Sequence, residues 1–82
     1  MKLCKHVSLA GDDNGANLLD GKRGTYFQLN ATGSIILHRL LSGETIGEIA
    51  SYLSSEFSVD SVSCAQDIES LANLLKKKGL VE

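Results

Sequence analysis

Along this chain the spacing of apolar positions changes once. From Val7 to Leu29 apolar and polar residues alternate roughly in twos, and from Ala31 onward apolar residues recur every three or four. Period two is the mark of a strand with one buried face, and period 3.6 that of a helix with one buried stripe. The first part reads as three strands: Val7–Ala10, Ala16–Asp20 and Thr25–Leu29. Between them lie Gly11-Asp12-Asp13-Asn14-Gly15 and Gly21-Lys22-Arg23-Gly24, both dominated by turn formers. Connections this short predict an antiparallel meander. In the third strand Tyr26 and Gln28 fall on one face, and Phe27 and Leu29 on the other. Asn30 then ends the strand and is placed to cap a helix with its side-chain oxygen.

Three helices are predicted after Asn30. Ala31–Leu41 carries a broad apolar stripe of Ile35, Ile36, Leu37, Leu40 and Leu41, and Ser42-Gly43 stops it. Thr45 opens the second helix, with Glu48 at the spacing of a capping box. Ile46, Ile49, Ala50, Leu53 and Phe57 form its core stripe. Asp60 or Ser61 opens the third helix, roughly Val62 to Lys78, ending at Gly79. There Ile68, Ala72 and Leu75 point inward, while Leu71 and Leu74 lie towards the flank. Lys76-Lys77-Lys78 stands in the last turn, where cations complement the helix dipole. Leu80-Val81 is placed to fold back on the core. Three antiparallel strands followed by three helices make an α+β fold.

With 82 residues the expectation is one domain spanning 1–82. A formal net charge of −2 gives no support to a nucleic-acid surface. Met1–His6 lacks the apolar run of a signal peptide, and no stretch approaches a membrane span, so the expectation is a soluble, cytoplasmic protein without membrane contact. Cys4 and Cys64 are the only cysteines; without histidines nearby they read as reduced thiols, Cys64 partly buried, not as metal ligands. His6 and His38 stand far apart, and His38 falls within an apolar helical stripe. No nucleophile–base pair and no phosphate loop is present, so an enzyme is not expected, and no cofactor or metal either.

Several stretches together resemble the PqqD family, the small leader-peptide-binding domains also called RiPP recognition elements. They are Leu18-Leu19-Asp20, Gly24-Thr25-Tyr26-Phe27-Gln28-Leu29-Asn30-Ala31-Thr32-Gly33, Leu40-Leu41-Ser42-Gly43-Glu44-Thr45-Ile46-Gly47-Glu48-Ile49-Ala50, and then Asp67, Leu71, Leu75 and Gly79-Leu80. The family often has Trp early in the first helix, where this chain has Ile35-Ile36-Leu37. The resemblance implies a winged-helix-like module turned to peptide capture. It is most like the free-standing leader-binding proteins of lasso-peptide biosynthesis. It further implies a precursor leader peptide as ligand, a leader peptidase of cysteine-protease type as partner, and a cyclase acting later.

By that resemblance a leader peptide adds to the open edge of the third strand, in the cleft between that strand and the third helix. Strand addition completes a ladder of unpaired backbone groups, and side-chain pockets add specificity. The expected peptide-binding residues are Thr25, Tyr26, Phe27, Gln28 and Leu29 on the strand, and Asp67, Leu71, Leu74 and Lys78 on the helix. The latter four recur at i, i+4, i+7 and i+11 on one flank and mix apolar with charged groups. The same open edge makes a monomer or a weak dimer the expected state.

Two other readings compete. A winged-helix DNA binder would share the architecture, but its recognition helix carries spread basic residues. Here Asp67 and Glu69 sit at the centre of the third helix, and the lysines only at its end. Asp60-Ser61-Val62 resembles the Asp-Ser-Leu of acyl carrier proteins, modified at the serine. Ser61, however, leaves only one helix after it, and the first third of the chain reads as strands.

Overall fold

The period-two segments pair as an antiparallel meander. The computed structural model describes residues 1–82, with β1 (Val7–Asp12), β2 (Gly15–Asp20) and β3 (Thr25–Leu29) in the sheet order β1-β2-β3. Three helices follow: α1 (Ala31–Leu41), α2 (Ile46–Phe57) and α3 (Ser61–Lys77). The α+β order is the one the spacing predicts.

The first hairpin differs from expectation. β1 runs on through Gly11 and Asp12, and β2 starts at Gly15, so Asp13 and Asn14 alone make the turn. The Asp12 carboxylate accepts from the Asn14 N–H at 2.9 Å, an Asx-type closure. Gly11 has φ +122°, and a Cβ there would run into the Gly15 carbonyl. Glycine thus continues the strand where the local pattern reads as loop.

The caps follow the sequence closely. Asn30 accepts from the Gly33 N–H at 2.9 Å, and Asp60 from the Ser63 N–H at 2.9 Å. Thr45 and Glu48 form the reciprocal capping box. Thr45 bonds hold the Glu48 carboxyl below its ordinary pKa.

Two apolar clusters make the core. One joins the sheet to α1 and the end of α3 through Val7, Ala16, Leu18, Leu29, Leu37, Leu75, Leu80 and Val81. The other joins the three helices through Ile36, Leu40, Ile49, Ala50, Leu53, Ile68 and Ala72. Fully buried leucines and isoleucines such as Leu18, Leu37 and Ile68 each contribute about 1.5–3 kcal/mol relative to exposure. Buried Ser34 donates its hydroxyl to the Asp12 carbonyl and so ties α1 to the first hairpin. Leu80 and Val81 do fold back, and Val81 pairs with Leu3 in an isolated bridge. Bonds between Lys2 and Glu82 flank that bridge, as does one from the Cys4 N–H to Leu80. Burial, reinforced by Glu82, raises the Cys4 pKa.

Phe57 departs from its expected place. It closes the predicted α2 stripe in the sequence but is 54% exposed, because it is the last residue of the helix and lies beyond the α3 residues that cover Leu53. Tyr52 is half-buried instead. The Arg39 guanidinium stacks 3.4 Å from the Tyr52 ring centroid and bonds both Glu44 oxygens at 3.0 and 3.2 Å. No helix is long and apolar enough to cross a membrane.

Candidate functional site

Helices cover one face of the sheet and leave both the other face and the β3 edge open. α3 packs against α2 and stands off from β3, while α1 is the helix that lies under the strands. The candidate site is the space between the β3 edge and α3. Its floor is the first core cluster, onto which Phe27 from β3 and Leu71 from α3 both pack half-buried.

The ladder pattern identifies which β3 groups are free. The Gly21 N–H bonds the His6 carbonyl at 2.8 Å, which makes that pair a hydrogen-bonded one in the β1–β2 register. In an antiparallel ladder hydrogen-bonded pairs alternate. Leu19 and Asn17 therefore turn their backbone groups to β1, and Asp20, Leu18 and Ala16 turn theirs to Thr25, Phe27 and Leu29. By the same alternation, Tyr26 and Gln28 turn their N–H and C=O groups to the open edge. Their side chains lie on the uncovered sheet face with Ser8, Ala10, Asn17 and Leu19, around a shallow hollow of about 500 Å³.

Two smaller hollows lie near the two ends of α3. One, of about 210 Å³, lies where β3 begins and α3 ends, and Thr25, Tyr26, Phe27, Lys78, Arg23, Asp20 and Leu80 line it. The other, of about 450 Å³, lies at the opposite end, between the start of α1 and the α2–α3 junction. Thr32, Phe57, Val59, Asp60, Cys64 and Asp67 are among its walls. Of the expected residues, Thr25, Tyr26, Phe27 and Lys78 thus come together at one end, and Asp67 stands at the other. Leu71 lies half-buried between them, and Leu74 is 39% exposed. Leu29 is buried, and by the ladder alternation its backbone groups face β2. Tyr26, 71% exposed, forms a rim and not a closed pocket wall.

Asp20 organises the first end. Its side chain is buried, and Oδ1 accepts from the Lys22 and Arg23 N–H groups, both at 3.0 Å. His6 Nε2 stands 3.8 Å from Oδ1, and Arg23 Nε 3.9 Å from Oδ2. Burial pushes the Asp20 carboxyl up, but the two backbone bonds and the neighbouring cations outweigh it and hold the group below the usual carboxylate range. The turn so fixed aims Arg23 at α3, where Nη1 donates to the Lys78 carbonyl at 2.9 Å. The Lys78 ammonium stands 5.6 Å from the Phe27 ring centroid. Arg23 was not among the residues singled out from the sequence, since its partner lies 55 positions away and no local pattern links them. Thr32, Phe57 and Val59 were missed as cleft residues for the same reason. No group of three or more His, Cys, Asp or Glu side chains is gathered to hold a metal.

Comparison with known proteins places this arrangement in a family. Residues 15–81 match the family described as coenzyme PQQ synthesis protein D (PqqD). Two solved structures share the whole fold. One is described as lasso peptide synthetase B1 complexed with the leader peptide, with 38% identity and a TM-score of 0.91 over 99% of this chain and 95% of that one. The other is TbiB1 in complex with the TbiA(beta) leader peptide, with 35% identity and a TM-score of 0.87 over 100% of this chain and 95% of that one. No curated protein sequence matches. The chain belongs to the PqqD family.

Proposed function

We propose that this PqqD-family chain is a non-catalytic leader-binding module that takes an extended precursor leader peptide as a fourth strand on β3. The reading is carried by one observation: the unpaired β3 edge runs beside a cleft floored by half-buried Phe27 and Leu71. An open edge supplies backbone partners at Tyr26 and Gln28, and the apolar floor supplies burial for side chains that alternate towards α3. Likeness over nearly the full length to two proteins solved with leader peptides supports the same reading. In this role Phe27, Leu71 and Leu74 contact apolar leader side chains, and Thr25 and Lys78 close one end. Asp67 takes a hydroxyl or a basic group at the other. Residues 1–82 act as one unit in the cytoplasm, monomeric or weakly dimeric through the same edge. The leader is that of a lasso-type precursor, and the bound complex is presented to a separate leader peptidase of cysteine-protease type and then to a cyclase.

The test is titration of a fluorescently labelled leader peptide, taken from the precursor gene beside this one, into the full chain. Binding at micromolar concentration or tighter, weakened by Leu74→Asp in a folded variant, is the expected outcome. Absence of binding by every neighbouring candidate leader overturns the reading.

A further inference from the structure

The hollow where β3 begins and α3 ends gathers more positive charge than the rest of the molecule explains. The chain as a whole is net negative, yet Arg23 and Lys78 both line this hollow of about 210 Å³. The single acid there, Asp20, is already engaged by two backbone N–H groups and flanked by His6 and Arg23. No carboxylate stands within ion-pairing distance of the Lys78 ammonium, which faces the Phe27 ring. Four carbonyls at the end of α3 are also occupied. Leu74, Leu75 and Lys76 accept from Lys78, Leu80 and Gly79, and Lys78 accepts from Arg23. No acid at this end is left to pair with the Lys78 ammonium.

We propose that this hollow is a subsite for a carboxylate side chain, Asp or Glu, of the bound peptide, with Lys78 and Arg23 as the residues that select it. The inference rests on the peptide-binding reading above and deepens it. Its geometry fixes a spacing. Peptide residues that sit opposite Phe27 and opposite Thr25 lie two apart on the added strand and both face α3. An apolar side chain opposite Phe27 therefore places an acidic one, two positions away, between Arg23 and Lys78. A partly desolvated carboxylate with a guanidinium and an ammonium in reach forms charge-assisted bonds, which are stronger than neutral ones. The Phe27 ring below keeps water from one side of the pair.

The experiment is selection of a random twelve-residue peptide display library on the full chain, on Lys78→Glu, on Arg23→Gln and on Leu74→Asp. Lys78 makes no side-chain hydrogen bond, so Lys78→Glu leaves the bonding of the fold intact, and a thermal melt checks each variant. Wild type is expected to enrich peptides with Asp or Glu two positions from an apolar residue. Lys78→Glu is expected to lose that preference or exchange it for Lys or Arg, and Arg23→Gln to weaken it. In a selected peptide, Glu→Gln should weaken binding to wild type about three- to tenfold, less at high salt. Enrichment of apolar anchors without an acid at that spacing, or the same preference in wild type and Lys78→Glu, overturns the subsite and leaves strand addition standing. Failure of wild type to enrich any peptide over Leu74→Asp overturns both.

Discussion

Leu71 and Leu74 stand three residues apart on α3 but report different things. Leu71 packs against both core clusters, so Leu71→Asp lowers stability as well as removing contact with a peptide. Leu74 lies outside both clusters and is 39% exposed. Leu74→Asp should therefore weaken leader binding at least tenfold while the free energy of urea unfolding stays within about 0.5 kcal/mol of wild type, the range of ordinary surface changes. Unchanged affinity in that folded variant removes α3 from the cleft wall. Asp20 gives the second test at this scale. Its carboxyl is held below its unfolded pKa by the Lys22 and Arg23 N–H groups and nearby cations, against the effect of burial. A depressed acid stabilises the fold above its unfolded value, about 3.9, and that contribution is lost as pH falls through the folded value. Melting temperature should therefore drop below about pH 4, and Asp20→Asn should flatten that drop while lowering stability at neutral pH. An unaltered acid limb in Asp20→Asn assigns the effect to other groups.

At the scale of elements, β3, like β1, is an edge strand whose outer side has no strand partner. The Gln28 N–H faces that side by the ladder alternation, so proline there deletes a donor to an added strand without breaking a bond to β2. Gln28→Pro should abolish most leader binding, measured by anisotropy, with the circular dichroism spectrum retained. Loss of β signal instead would show that β3 bonds inward at Gln28. β1 offers a contrast through Gly11. Its φ of +122° and the nearness of the Gly15 carbonyl leave no room for a side chain. Gly11→Ala should destabilise the chain by about 1–3 kcal/mol in urea unfolding, with leader affinity of the folded fraction unchanged because the turn lies at the far edge of the sheet.

For the whole molecule the proposed task is to hold one peptide near another enzyme. Tethering acts by effective concentration and multiplies the apparent affinity by about 10²–10⁴ without new contacts. With the partner peptidase and precursor both well below their own affinity, omission of the chain should slow leader cleavage by at least about 10²-fold, and raising the precursor concentration should restore it. A rate independent of the chain at low concentration would deny the delivery role. Two separate core clusters, one under the sheet and one among the helices, let the fold keep β3 and α3 apart without losing its rigidity.

Most of the elements were legible because their signals are local. Period two in Tyr26–Leu29, the Asn30 cap, the Thr45–Glu48 box and the Gly79 stop each depend on residues a few positions apart, and α1 and β3 carry the bounds read from the pattern. The inward choice of Ile68, Ala72 and Leu75 on α3 followed from helical spacing in the same way. The extension of β1 through Gly11 was not legible, because glycine there satisfies a cross-strand steric demand while locally signalling a turn. Phe57 is exposed where its stripe reads as core, because period alone does not say how far a covering element reaches. Arg23 on the Lys78 carbonyl and Leu3 against Val81 join opposite ends of the sequence, and only the folded chain brings them together. The sequence by itself determined the strands, the helices and their caps, since hydrogen bonds and propensities act over one turn or one hairpin. Tertiary structure alone decided that α3 stands off from β3, that one hollow near the end of α3 gathers two cations while Asp67 lines another near its start, and that Asp20 aims Arg23 at α3. Those features depend on packing between distant segments, and no short window of residues carries that information.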